Sequence, residues 1–157
     1  METTSDGANV RFPPPAVYAV GLAIGVVAGR LLHFPGLGLA SAVRELLGLI
    51  FAVVGIAASM AGAGLFVHRR TAIIPYKPAS CLVTSGIYRW TRNPMYLGLA
   101  LIYVGVGGLL NSFAAILLLP LVIAIIQVSV IAREEAYLER AFGSEDIAYK
   151  RRVRPWI

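Results

Sequence analysis

The chain has 157 residues, of which 58% are hydrophobic and only 14% charged, with a mean hydropathy of +0.76 and a formal net charge of +6. Soluble globular domains carry roughly 25% charged residues, and a chain this short has no core large enough to hide so much apolar sequence, so most of it must face lipid. A single cysteine, Cys81, excludes an intramolecular disulfide and a thiolate zinc scaffold.

In chain order, the N-terminus starts with Glu2 and Asp6, lacks a basic region, and becomes apolar only after Phe12-Pro13-Pro14-Pro15. It is therefore expected to be retained rather than cleaved as a secretory signal. Stretches free of Asp, Glu, Lys and Arg cover residues 12–29, 46–68 and 93–132. A spanning helix needs roughly 20 residues, so the first two give one crossing each and the third is long enough for two. Gly107, Gly108, Asn111 and Ser112 interrupt it with turn chemistry and predict a helical hairpin. The expected fold is an all-α membrane protein, a single domain over 1–157. It has about four transmembrane helices, near 16–32, 46–67, 94–110 and 113–132, the third being short. Gly21, Gly25 and Gly29 form a small-xxx-small series that suits packing against a partner or, as is expected first in so small a bundle, against another span of the same chain.

Basic residues orient this arrangement. The connection between spans two and three holds Arg69, Arg70, Lys77, Arg89 and Arg92 without an acid, and the tail holds Arg133, Arg140, Lys150, Arg151, Arg152 and Arg154. By the positive-inside rule the 68–93 loop and both termini are expected to be cytoplasmic, with loop and tail forming one site there. The charge of +6 then reads as attraction to anionic lipid headgroups. Nucleic acid is not expected as a partner, because no soluble basic domain exists to present to it.

No ionisable residue lies at mid-membrane depth, and His33 and His68 fall at the ends of different spans, so neither a bis-histidine haem nor a proton-coupled exporter is expected. The informative segment is Ser85-Gly86-Ile87-Tyr88-Arg89-Trp90-Thr91-Arg92-Asn93-Pro94-Met95-Tyr96-Leu97-Gly98. Asn93 is a favoured N-cap and Pro94 suits the first helical position, so a helix start with free amides faces the interface beside Arg92. Tyr88 and Tyr96 add aromatic faces that suit a cationic ligand. Taken alone, this cluster reads better as an anchor, with Trp90, Tyr88 and Tyr96 in an aromatic belt and Arg89 and Arg92 on headgroups. Glu134 and Glu135 follow span four at the same depth, about 100° apart on their helix, so at most one points squarely into a shared site. That helix should run from Arg133 to Phe142, with Glu135 and Glu139 one turn apart and Gly143 as its stop.

At these residues the sequence resembles the isoprenylcysteine carboxyl methyltransferases and the related phospholipid methyltransferases. The resemblance is carried by Leu82-Val83-Thr84-Ser85-Gly86-Ile87-Tyr88, Arg92-Asn93-Pro94-Met95-Tyr96-Leu97-Gly98, Glu134-Glu135, Phe142-Gly143 and Tyr149-Lys150-Arg151-Arg152-Val153, within residues 80–153. It implies a multipass membrane enzyme that uses S-adenosylmethionine. Cofactor contacts would fall on Cys81, Leu82, Val83, Tyr88, Asn93, Pro94, Met95, Tyr96 and Glu134. Cys81 would contribute backbone or packing rather than a nucleophile. Asn93 stands where the family has a histidine, and an amide cannot take a proton at neutral pH. Val130 stands where the prenylcysteine enzymes carry an arginine one turn before the acid pair, and Asp146 where a tyrosine is common.

The resulting expectation is methyl transfer from S-adenosylmethionine to a lipophilic acceptor that enters from the bilayer, without a metal. A carboxylate acceptor needs no general base, only a positioning cation such as Arg92, with Arg133, Arg152 and Arg154 as further substrate-binding candidates. An amine must lose a proton, which could pass to Glu135 or water. The acceptor stays open among prenylcysteine-like carboxylates, lipid amines and small lipophilic thiols or phenols, and so does the oligomeric state. The alternative from another class is a non-catalytic scaffold or lipid-binding subunit that keeps the fold.

Overall fold

A computed structural model describes residues 12–70 and 79–156. Four apolar helices form the bundle: α1 (Pro14–Leu31), α2 (Ser41–His68), α3 (Pro94–Leu109) and α4 (Phe113–Ile126). Helix α4 continues through a π turn (Gln127–Ile131) into α5 (Ala132–Phe142), and α6 (Ser144–Arg152) comes after Gly143. A short 3₁₀ turn, Gly86–Arg89, precedes α3. No strand occurs among the described residues.

Three helical stretches, Pro14–Leu31, Ser41–His68 and Phe113–Phe142, are long and apolar enough to cross a bilayer. Helix α3, with 16 residues, extends only about 24 Å at the α-helical rise, short of a hydrocarbon core about 30 Å thick. The predicted hairpin forms, but its turn differs in detail. Gly107 and Gly108 stay helical and buried, and the chain reverses at Leu110 to Ser112, where Asn111 adopts φ +53°. Ser112 caps α4 by accepting a hydrogen bond from the Ala115 amide at 3.2 Å. The two glycines serve packing: a Cβ on Gly107 would come within 2.9 Å of Ile116, and one on Gly108 within 3.7 Å of Gly48.

Helix α3 is the centre of the bundle, packed against α2, α4 and α1, and α1 lies on α4 and α3 rather than on its sequence neighbour α2. The α2–α3 contact is set by glycines seven residues apart. A Cβ on Gly55 would lie 2.5 Å from the Gly98 carbonyl oxygen, and one on Gly105 would lie 2.6 Å from the Gly48 carbonyl oxygen. Without hydrophobic exclusion to drive helices together in lipid, such close approach is what gains van der Waals contact between backbones. Gly21, Gly25 and Gly29 do the same for α1 against Val122, Ala115 and Ala114 of α4. The expected intramolecular packing of that series is therefore observed, with α4 as the partner.

The core clusters Tyr18, Tyr96, Tyr103, Ala115, Val122, Ile126, Val130, Ile131 and Tyr137. Two of its tyrosines are held by hydrogen bonds to backbone: Tyr18 Oη donates to the Tyr96 carbonyl at 3.2 Å, and Tyr103 Oη to the Ala115 carbonyl at 2.9 Å. The outward faces of α1 and α2, with Val20, Ile24, Leu49, Val53 and Met60, remain exposed, as lipid contact requires.

Replacing Gly55 by alanine forces two backbones apart and should destabilise the protein by about 1–3 kcal/mol, the usual range for overpacking. Gly64→Ala in the same helix meets nothing within 4 Å and should be neutral or slightly stabilising. Thermal melts of both variants in the same detergent check this, with a clear fall in Tm expected for the first alone.

Candidate active site

The site lies at the end of the bundle where α1 and α3 start and α5 leaves the apolar region. Pro94 opens α3 at its first helical position, as expected, but Asn93 does not cap it: no side-chain cap hydrogen bond is made. The Asn93 amide instead donates through Nδ2 to the Pro155 carbonyl at 2.9 Å, and its own backbone N–H donates to Thr91 Oγ1 at 3.1 Å. Thr91 Oγ1 also donates to the Pro155 carbonyl, at 3.1 Å, and the Arg92 N–H to the Arg154 carbonyl at 3.0 Å. A long-range demand overrides the local capping preference, because the tail carbonyls need donors in this enclosed place.

The two acids take different directions. Glu134 is reached by the Tyr96 hydroxyl, which donates to Oε1 at 2.6 Å. Glu135 is paired with Arg92, Nη2 to Oε1, at 2.8 Å, with the side chains 13% (Arg92) and 28% (Glu135) exposed. Partial burial makes this pair stronger than a solvated one, and a variant lacking one partner would strand the other charge. The turn of about 100° between adjacent helical residues accounts for the division.

Tyr88 closes the floor. Its backbone carbonyl accepts from Tyr149 Oη at 2.6 Å, its ring lies 5.5 Å from that of Phe66, and its hydroxyl is buried without a hydrogen-bond partner. Burial raises the Tyr88 phenol far above its ordinary range, and Tyr149 and Glu134 add to the rise. The phenol of Tyr149 is pushed up to about 12 by burial, with Arg92 opposing and Asp146 adding. Both therefore remain neutral donors at any physiological pH. Around Tyr88 gather Val83, Tyr149 and Val153, with Leu65, Phe66, Cys81 and Leu82 partly buried against them. Gly86 permits this at φ +60°, where a Cβ would strike Leu65.

Cys81 is half-buried, its Sγ 4.0 Å from the Arg69 carbonyl oxygen. Met95 contributes its carbonyl to Ser59 Oγ at 3.3 Å. Of the substrate-binding candidates, Arg133 is exposed, Arg152 is exposed with Nε donating to Ala148 of its own helix at 3.2 Å, and Arg154 is exposed and engages Arg92 through its backbone. The structure thus brings together Tyr88, Arg92, Tyr96, Glu134 and Glu135, and leaves the side chains of those three arginines at the surface. No group of three His, Cys, Asp or Glu suited to a metal ion occurs among the described residues.

Several contributors carry no local sequence signal. Phe66 comes from α2 and Tyr18 from α1, outside the motif-bearing half. Tyr137 Oη accepts from the Ala79 N–H at 2.9 Å, and Trp156 Nε1 donates to Gln127 Oε1 at 2.9 Å, fastening the tail to the π turn. Lys150 clamps α6 to α5, with Nζ 2.8 Å from Asp146, 3.0 Å from Glu139 and 3.0 Å from the Glu135 carbonyl. The residue types are plain in the sequence, but not their partners.

The geometry defines an integral membrane protein most of whose ionised groups gather at one end of an apolar bundle. Residues 25–145, more than half of the chain, match the family described as phospholipid methyltransferase. Over 72 residues the chain is 39% identical to the protein-S-isoprenylcysteine O-methyltransferase of Schizosaccharomyces pombe, covering 46% of this chain and 30% of that relative. Over 63 residues it is 43% identical to a Haemophilus influenzae protein described as uncharacterized, covering 40% of this chain and all of that relative. The match therefore spans less than a third of the fission-yeast enzyme. The chain belongs to the phospholipid methyltransferase family.

The Lys150 clamp has a pH signature. Burial lowers its basicity, but the hydrogen bonds and charges of Asp146 and Glu139 outweigh it and raise the ammonium above its ordinary 10.5. A folded-state value raised above the unfolded one adds stability that is complete below pH 10.5 and disappears as pH rises through the folded value. Melting wild type and Lys150→Met between about pH 8 and pH 12 should show a Tm gap in favour of wild type that closes only at the alkaline end.

Proposed function

We propose that this protein transfers the methyl group of S-adenosylmethionine to a lipophilic acceptor at the cytoplasmic face of the membrane. The observation that carries this reading is Glu134, held by Tyr96 beside the buried, unpartnered hydroxyl of Tyr88. A carboxylate with two tyrosines around it suits a ligand that brings a positive charge on sulfur or nitrogen and polar groups able to pair with Tyr88 Oη. The donor set thus fits S-adenosylmethionine, with Tyr88, Tyr96 and Glu134 as the holding residues and Leu82 and Val83 as the apolar wall. When bound, that cofactor supplies a methyl carbon already activated by its positive sulfur.

The protein's share is then alignment and exclusion of water, which can contribute several kcal/mol of barrier lowering without acid-base chemistry. Arg92 and Glu135 neutralise each other at rest. A carboxylate acceptor would draw on Arg92 for orientation and lose no proton. An amine would need Glu135, or water beside it, to accept its proton. Asn93, with its amide committed to the Pro155 carbonyl, takes no part in proton transfer. The family description names a phospholipid acceptor and the fission-yeast relative a prenylcysteine; both are lipophilic, which supports entry from the bilayer.

The basic residues of the 68–93 loop and the tail support a cytoplasmic placement of this end, since Arg69, Arg89, Arg92, Arg151, Arg152 and Arg154 gather there and the far end holds few.

Calorimetric titration of the detergent-purified protein with S-adenosylhomocysteine tests the reading. Saturable binding is expected for wild type, with a loss of roughly tenfold or more for Glu134→Gln, as befits a charged contact worth about 1.5–3 kcal/mol. Tyr88→Phe should weaken it less. A folded wild type that binds nothing in detergent or in lipid nanodiscs would remove the methyltransferase reading and leave the scaffold.

A further inference from the structure

At the opposite end of the bundle, where α1 finishes and α4 begins, lies a cavity of about 140 Å³ whose walls include Arg30, His33, Phe34, Asn111 and Ser112. A liquid water occupies about 30 Å³, so this space admits a group several waters in size. It is built by backbone that turns sharply. After α1 the Phe34 N–H donates to the Gly29 carbonyl at 2.9 Å, and His33 adopts φ +52°; across the cavity Asn111 adopts φ +53°. Two of the three non-glycine residues with positive φ among the described residues thus line one cavity. Each is the left-handed residue of an ordinary helix C-cap, with the Phe34 N–H reaching the Gly29 carbonyl after α1 and the Ser112 N–H reaching the Gly107 carbonyl at 3.0 Å after α3.

The charged side chains of the walls are of one sign; the carbonyl ends of α1 and α3 lie at the same place, where cap hydrogen bonds from Phe34 N–H to Gly29 and from Ser112 N–H to Gly107 take up two of them. Arg30 brings a permanent guanidinium at the last turn of α1, and no ion pair engages it among the described residues. The Asn111 amide is oriented by the Leu37 N–H, which donates to Oδ1 at 3.0 Å, so Nδ2 remains a donor. Ser112 Oγ already accepts from the Ala115 amide, which leaves its hydrogen to donate. The first amides of α4 add donors and the positive end of its dipole. No acid is among the lining residues. Glu45, at the start of the neighbouring α2, is drawn to Arg44 at 3.6 Å.

A cavity with the exposed, permanently charged Arg30, several donors and no acidic side chain suits an anion. At the depth of a helix end the abundant anion is the phosphate of a lipid. We propose that this cavity binds the phosphate of a phospholipid headgroup, on the face of the protein opposite the acid pair. Arg30 supplies the charged contact, and Asn111 and Ser112 fix the geometry. The inference is independent of the methyltransferase reading, since it uses none of its residues.

The test uses delipidated full-length protein in a non-ionic detergent, titrated with short-chain phosphatidylglycerol, with diacylglycerol of the same chain length, and with inorganic phosphate. Wild type, Arg30→Gln, Arg30→Lys and Arg44→Gln are compared after their Tm values are shown to match. Saturable phosphatidylglycerol binding is expected, about tenfold weaker in Arg30→Gln, as for loss of a charge-assisted bond. It should be largely kept in Arg30→Lys and unchanged in Arg44→Gln, with no binding of diacylglycerol. Equal affinity of wild type and Arg30→Gln, or equal weakening by Arg44→Gln, would overturn the proposal in favour of general surface charge. Binding of inorganic phosphate without the lipid would overturn the assignment to a headgroup.

Discussion

The architecture depends on how closely α3 approaches α2. The facing glycines at 48, 55, 98 and 105 bring backbone to backbone, so neither helix can slide or rotate without a clash between main-chain atoms. In lipid this fixes position more firmly than apolar side chains would, because a leucine exchanges one hydrocarbon neighbour for another at little cost. The start of α3 is thereby held in place, and with it Arg92, Pro94 and Tyr96. A short helix can serve as the bundle's centre for this reason: its 16 residues need only reach from the turn at Asn111 to the interface where the site is assembled.

The second constraint is the change of phase between α4 and α5. A π turn places one extra residue in the helix and so rotates α5 by about 100° relative to α4. Val130 and Ile131, within it, are fully buried against the core, and Gln127 reaches Trp156. Beyond it, Glu134 meets Tyr96 of α3 while Glu135 meets Arg92 one residue before the Asn93 position. One acid is thus set among tyrosines and the other against a guanidinium, so two chemically identical side chains acquire separate roles from their neighbours.

Much of this was legible in the residues. Apolar runs marked α1, α2 and the α3–α4 hairpin to within a few residues, since lipid tolerates few alternatives to a long apolar helix. The Arg-Asn-Pro start, the acid pair and the Gly143 stop also fell at their expected positions. The contacts set by tertiary packing escaped. The glycines of α2 lie seven apart in a helix of generic appearance, and nothing local says that Gly55 faces Gly98. Gly107 and Gly108 offered turn chemistry, but a helix packed this tightly has its own use for them. The π turn has no signature in Gln127-Val128-Ser129-Val130-Ile131, and its rephasing is invisible to any count of residues per turn.

The role of Asn93 shows how the two levels combine. An amide at this position has the chemistry of a helix cap, and in isolation it would be one. The tail changes the balance, because Arg154 and Pro155 bring two carbonyl oxygens into a place where water is scarce, and each demands a donor. Arg92 answers one through its backbone, and Thr91 and Asn93 answer the other together. The helix start loses a cap worth about 1 kcal/mol, and the tail gains three hydrogen bonds to a fixed element. A side chain that cannot carry a proton is well suited to this position, since a charge change there would act on the very contacts that hold the tail across the site.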